Sequence, residues 1–436
     1  MAPHAETTSS ELTLNGIVHN IEKTASSLTN GHTSNGVVAN EFKPPTLAEL
    51  DASLLEITYT TNPRTVPALN CAEVQAQKTC TDHMVTCVWT SSHGWHAPQL
   101  RPYGPLTLMP TASCLHYATE CFEGMKLYRG YDGSLRLFRP DLNANRMLQS
   151  ATRIALPAFN PSQLLSLIVK LCATDGPKWL PPSRPGSFLY IRPTLIASDS
   201  ALGVQKPSEA TLFIILSCFP TLDQKPAGMR LLASREDMVR AWPGGFGYAK
   251  VGANYGPTLV CQAEARQKGF DQILWLFGEG AKVTEAGASN FFVVWRSKDG
   301  KVEVVTAPLE GRIILDGVTR RSVLQIVGER LSAETDGLLG GTEVEGVRIV
   351  EREYGICEIV EASREGRLLE AFVCGTAFFV CGVSEIEWKG ESIRMPVGSD
   401  GSGDYSRLIK GWLKGIMYGK ERHEWGYIVE EEGVPT

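Results

Sequence analysis

Residues 244–258 read GGFGYAKVGANYGPT, five glycines in fifteen positions around a single amine, Lys250. The neighbouring lysines along the chain are Lys225 and Lys268, so this is no charged solvent face. Two readings are open: a surface loop with one exposed lysine, or a lysine carried close to a ligand by a backbone free to bend. What lies on either side decides between them.

Upstream, FPTLDQKPAG (219–228) is rich in turn formers and poor in periodicity, which marks an interdomain connection. Before it, DLNANRMLQSATR (141–153) predicts a helix with Asp141 at its N-cap. PSQLLSLIVKLCATDG (161–176) predicts a second, stopped by Gly176 and Pro177. SFLYIRPTLIAS (187–198) and TLFIILSC (211–218) predict strands, the latter fully buried. Downstream, QILWLF (272–277), FFVVW (291–295) and VEVVTAP (302–308) predict strands of a second domain. GVTRRSVLQIVGERL (317–331) and YSRLIKGWLKGIMYG (405–419) predict helices, and AFVCGTAFFVCGV (371–383) a buried strand and turn. The alternation predicts an α/β (α+β) architecture of two domains.

Composition narrows the function classes. The chain has 436 residues, 43% of them hydrophobic and 21% charged, as in soluble globular proteins. A net charge of -6, without a basic run, argues against a nucleic-acid or anionic-membrane surface. Eleven cysteines without a CxxC pair read as reduced thiols. The one close histidine pair, His93 and His96, has no third ligand nearby, so no metal site is expected. Residues 1 to 47, polar and arginine-free, read as a disordered extension. That segment has neither the apolar core of a secretory signal nor the arginines of a mitochondrial one, so the expected location is cytoplasmic, with mitochondrial as the alternative.

Three features accompany Lys250. TEAGASN (284–290) places Glu285 in a tight turn, either as an exposed acid or as a carboxylate for a ligand. The helix start at LDGVTRRS offers unpaired backbone N–H groups, as anion sites do. Strand alternation puts Phe188, Tyr190 and Arg192 on one face, which borders either solvent or a pocket. A lysine, a carboxylate and an anion cradle suit pyridoxal 5′-phosphate, which has an aldehyde, a basic ring nitrogen and a phosphate.

GYAKVGANYGPT, TEAGASNFF, HYATECFEGMK (116–126), RLFRPDLNANRM (136–147), LYIRP (189–193) and YGKERHEW (418–425) together resemble the branched-chain amino acid aminotransferases, eukaryotic subfamily. These are fold-type IV enzymes dependent on pyridoxal 5′-phosphate. The resemblance implies that Lys250 forms the Schiff base and shuttles the proton, that Glu285 partners the ring nitrogen, and that Tyr255 donates to the phenolic oxygen. It implies a phosphate site of Arg146, Val318, Thr319 and Thr376. Tyr117, Phe122 and Tyr190 match the substrate pocket's aromatic wall, and Arg192 the arginine for glutamate's side-chain carboxylate. Ala288 and Ala377 match turns whose N–H groups receive the substrate carboxylate.

The same resemblance implies a smaller domain (48–217), a connection (218–228), a larger domain (229–433) and a homodimer. The expected reaction is ping-pong transamination between a branched-chain L-amino acid and 2-oxoglutarate. Two alternatives stay open: a relative acting on a longer or unusual 2-oxo acid, and a D-amino acid or amine transaminase. The first is suggested by departures from the family pattern at Ala76, Gln77, Cys80, Ala288 and Ser289, which reduce pocket volume or apolar surface. Phe378 stands where the family's mammalian members have the first cysteine of a CxxC, leaving Cys381 alone, so no thiol switch is expected there.

Overall fold

The computed structural model describes residues 47–222, 225–332, 337–339 and 342–434. The expected N-terminal extension lies outside the described residues, as do positions 223–224 of the connection. Two large sheets organise the described chain. The first runs Glu56–Ile57, Gln99–Pro102, Cys80–Thr90, Glu209–Cys218, Phe188–Ala197, Met125–Arg129, Leu135–Phe138 and, at its edge, Gly426–Val429. The second runs Lys282–Ala286, Gln272–Phe277, Met229–Ala233, Phe379–Trp388, Leu368–Gly375, Ser289–Arg296, Val302–Thr306 and Val347–Glu351. The chain's last strand therefore returns to the sheet built from its first half, pairing antiparallel with Leu135–Phe138.

The strand Glu209–Cys218 alternates buried and half-buried side chains over most of its length, so it is not the fully buried strand expected from TLFIILSC. Its long apolar run reflects β-branched and aromatic residues on both faces, which periodicity alone does not separate from complete burial. Two helix boundaries also differ from expectation. Pro140, not Asp141, begins the first long helix, Pro140–Arg153, because a residue lacking an N–H loses nothing at the first helical position. Arg139 precedes it at φ 45°, with its guanidinium 4.4 Å from the Trp425 ring centroid.

The second helix, Pro161–Trp179, runs through Gly176 and Pro177 rather than stopping there. Proline at 177 cannot donate to the Ala173 carbonyl. The N–H groups of Glu432 and Gly433 fill that vacancy, at 3.1 and 3.0 Å. At Gly176 the helix presses onto the first sheet so closely that a Cβ would stand 2.6 Å from a Leu135 methyl. A long-range contact thus satisfies what looks from sequence like a terminator.

The second sheet carries its own packing signature. Phe292 and Phe372, paired directly across neighbouring strands and fully buried, stack with centroids 4.9 Å apart. Phe372→Ala removes a fully buried, stacked ring and is expected to lower unfolding free energy by about 3–5 kcal/mol. Chemical denaturation checks this, and a shift under 1 kcal/mol or so would mean that the neighbours refill the space. Among the described residues, no helix is long and apolar enough to cross a membrane.

Candidate active site

The glycine-framed lysine loop is bonded to the helix Pro140–Arg153 and to the short strand Glu120–Phe122. The Lys250 N–H donates to Ser150 Oγ at 2.8 Å, and its carbonyl accepts from the Phe122 N–H at 3.1 Å. Val251 forms a bridge with Cys121. Two glycines explain the approach. A Cβ at Gly252 would collide with the Glu120 carboxylate, and one at Gly247 would lie 2.6 Å from the Ile313 carbonyl oxygen. Asn254 turns back onto the loop: its amide donates to the Phe246 and Ala249 carbonyls, at 3.0 and 2.8 Å. Buried amides need such partners, so Asn254 sets the loop's shape.

With the backbone fixed, the half-buried Lys250 side chain projects between two rings. Its Nζ donates to the Tyr255 hydroxyl at 3.3 Å and lies 4.9 Å from the Phe122 ring centroid. Lys250, Tyr255 and Phe122 are thus brought together.

Glu285 is buried, at 2% exposure, on the strand Lys282–Ala286. The exposed-acid reading of the turn is excluded. Its Oε1 accepts from the Leu315 N–H at 3.1 Å and from the Asn290 amide at 3.3 Å. Its Oε2 is ion-paired with an Arg240 nitrogen at 2.6 Å and has no hydrogen bond besides. Burial pushes the carboxyl above its ordinary pKa, while Arg240, the Leu315 N–H, Lys250 and Arg146 each pull it down. Arg240 and Asn290 were not picked out in the sequence. Arg240 lies 45 positions from its partner, and only the solitary arginine in MVRAW hinted at it.

Arg146 projects from the helix Pro140–Arg153 into the seam between the sheets. It grips Glu123 through two nitrogens, at 2.6 and 2.8 Å, and the Asp316 carbonyl through a third, at 2.9 Å. Burial raises the Glu123 pKa, but the charge and hydrogen bonds of Arg146 outweigh it and hold the carboxyl below its usual range. Glu123 was also absent from the sequence expectations. Two residues past Asp316 the helix Val318–Arg330 begins, its N-cap Gly317 offering no side-chain cap. Its first N–H groups are therefore available to an anion. Val318, Thr319 and Thr376 line one small cavity with Lys126, Asn143 and Phe379. The Thr376 hydroxyl donates to the Gly124 carbonyl at 3.1 Å, across the seam.

The turns carrying Ala288 and Ala377 lie at the same end of neighbouring strands, because Asn290 pairs with Cys374 and Phe291 with Val373. Ala288 is exposed. Ser289 is buried, with its hydroxyl 3.3 Å from where a Gly375 Cβ would stand, so it shapes the turn. The Ala377 carbonyl accepts from Lys126 Nζ at 3.2 Å. On the adjoining sheet, Arg192 donates to the Tyr190 hydroxyl at 3.0 Å, and its guanidinium lies 4.5 Å from the Phe122 ring centroid. Arg192 Nε is buried with no hydrogen-bond partner. Tyr117 is exposed, its hydroxyl donating to the Leu202 carbonyl. Ala76 and Gln77 are exposed after the helix Ala72–Gln75, Gln77 at φ 56°, whereas Cys80 is buried.

The arrangement combines an amine, a buried carboxylate ion-paired with an arginine, and an uncapped helix start. The family model described as amino-transferase class IV matches residues 120–386. The cytosolic branched-chain-amino-acid aminotransferase of Saccharomyces cerevisiae is 44% identical over 391 residues, 88% of this chain and 99% of that protein. The mitochondrial form of Schizosaccharomyces pombe is 42% identical over 85% of this chain and 84% of its own length. Relatives thus include both cytosolic and mitochondrial proteins. Among solved structures, the branched-chain aminotransferase of Thermoproteus uzoniensis, crystallised with norvaline, superposes with a TM-score of 0.60 at 25% identity, covering 79% of this chain and 99% of that one. A second branched-chain amino acid aminotransferase, solved as its complex with N-(5'-phosphopyridoxyl)-L-glutamate, has the same fold, with a TM-score of 0.57 at 23% identity, covering 79% and 98%.

Proposed function

As the chain belongs to the class IV amino-transferase family, we propose that it carries out ping-pong transamination between branched-chain L-amino acids and 2-oxoglutarate with pyridoxal 5′-phosphate. The observation that carries this reading is the buried Glu285 oxygen without a hydrogen-bond partner, in a site whose amine lies 3.3 Å from a tyrosine hydroxyl. The Arg240 guanidinium 2.6 Å away holds that oxygen as an anion, and a protonated ring nitrogen is a donor that such an anion accepts from.

When bound, the cofactor supplies an aldehyde that takes up an amine and a ring that draws electrons from the amino acid's Cα–H bond. The chain's residues do the rest. Glu285, kept anionic by Arg240, holds the proton on the ring nitrogen. Lys250 Nζ, oriented by the Tyr255 hydroxyl, would take and hold the proton that leaves Cα. Val318, Thr319, Thr376 and Arg146 receive the phosphate at the helix start. The turn N–H groups at Ala288 and Ala377 bind the substrate carboxylate. Phe122 and Tyr190 present ring faces to an aliphatic side chain, and Arg192, with a free buried N–H, meets the distal carboxylate of glutamate or 2-oxoglutarate.

We read the two sheets as the cores of a smaller (48–217) and a larger (229–433) domain, with the strand Gly426–Val429 tying the second to the first. Leu259 and Val260, adjacent and exposed, suit the interface of a homodimer.

Absorption spectra of the holoenzyme test the function. L-Leucine is expected to abolish the long-wavelength cofactor band, and 2-oxoglutarate to restore it. A band that responds to D-alanine and ignores L-leucine would sink the proposal.

A further inference from the structure

We propose that Phe219, the first residue of the connection between the two sheets, is a positioning residue that sets the preference for dicarboxylate over aliphatic substrates. The inference rests on the substrate reading of Tyr190 and Arg192 given above. It starts from strand register. Tyr190 pairs directly with Ser217, so Phe219, two residues further on, presents its side chain to the same face. There the two rings stack, with centroids 4.8 Å apart and planes inclined by 25°.

The backbone leading to Phe219 is held rather than free. The Cys218 N–H and the Ser217 hydroxyl both donate to the Thr79 carbonyl, at 2.8 and 3.0 Å. Phe219 is thus a fixed wall against one face of Tyr190. The other end of Tyr190 is equally constrained. Its hydroxyl sits so close over Gly124 that a Cβ there would collide with it, and it accepts from Arg192 Nη2 at 3.0 Å. The Arg192 guanidinium lies 5.1 Å from the Tyr190 ring centroid and 4.5 Å from that of Phe122.

Phe219, Tyr190, Arg192 and Phe122 therefore form one chain of contacts, ending beside Lys250. A guanidinium that keeps one buried N–H unpaired can serve a carboxylate only while its position is fixed. Phe219 fixes it through Tyr190. An aliphatic side chain makes non-directional contact with the Tyr190 and Phe122 rings, whereas a carboxylate needs the guanidinium at hydrogen-bonding distance and angle, so a small shift of Tyr190 and Arg192 is felt far more by the dicarboxylate.

The test uses the holoenzyme with Phe219→Leu, which keeps apolar volume and removes the ring, beside Phe219→Tyr, which keeps the ring. In Phe219→Leu, KM for 2-oxoglutarate is expected to rise about five- to tenfold, the scale of one aromatic pair. The half-saturating concentration of L-leucine is expected to change by less than about twofold, and Phe219→Tyr to restore both values. Equal shifts for the two substrates, or none, would overturn the proposal. So would a Phe219→Leu chain that fails to fold while Phe219→Tyr behaves as wild type, since the role would then be structural. Failure of the underlying reading is separate: the wild-type holoenzyme itself would not respond to L-leucine and 2-oxoglutarate.

Discussion

Lys250→Ala is expected to lose transamination by about four orders of magnitude or more, because the same amine is both the attachment point and the proton carrier. The loss should be chemical rather than structural. The bonds that fix the loop at this position run from the Lys250 backbone N–H to Ser150 and from the Phe122 N–H to the Lys250 carbonyl, and alanine keeps both. Unfolding measured by circular dichroism should therefore stay close to wild type. Lys250→Arg should be as inactive as the alanine variant, since a guanidinium keeps its proton and cannot act as a base at neutral pH. Borohydride treatment of the wild type should fix the cofactor to the peptide carrying Lys250. Fixation at Lys126 instead, whose buried amine reaches the Ala377 carbonyl, would reassign the catalytic lysine.

How much of this was legible depends on how local each constraint is. The loop around Lys250 was readable because two of its glycines, Gly247 and Gly252, meet close approaches that only a residue without a Cβ tolerates, and Gly244 takes a φ of 82°. The alternation in SFLYIRPTL correctly separated Tyr190 and Arg192 from the buried Leu189 and Ile191. Glu285 was ambiguous, since a turn acid looks the same whether solvent or an arginine faces it. Only the tertiary fold brings Arg240 to 2.6 Å. Glu123 was missed for a related reason: within HYATECFEGMK it is one acid of two, and its pairing with Arg146 forms across 23 positions. The helix that runs through Pro177 is the clearest limit, because what rescues it comes from the far C-terminus. Local pattern gives elements and loops, whereas the partners of buried charges come from elsewhere in the chain.

Those buried charges yield the second large effect. Glu285→Gln replaces a carboxylate with a neutral amide, and activity is expected to fall about 10²–10³-fold because the ring nitrogen loses the charge that holds its proton. Arg240→Met should lower activity comparably at neutral pH by a different route, and pH separates the two. Burial already pushes Glu285 above the ordinary carboxylate range, and Arg240 is the strongest of the groups pulling it back. Without the arginine the carboxyl stays protonated to higher pH, since an unpaired buried charge is strongly disfavoured. The acid limb of the rate profile should therefore move to higher pH in Arg240→Met, with activity partly recovered as the carboxyl ionises. Glu285→Gln has nothing to ionise at that position, and raising the pH should recover nothing. If both variants show the wild-type acid limb, the limb belongs to another group and the Arg240–Glu285 pair does not set the protonation of the ring. If only Arg240→Met shifts, the spare oxygen of Glu285 acts as an anion, which is what its burial beside Arg240 and near Lys250 is arranged to maintain.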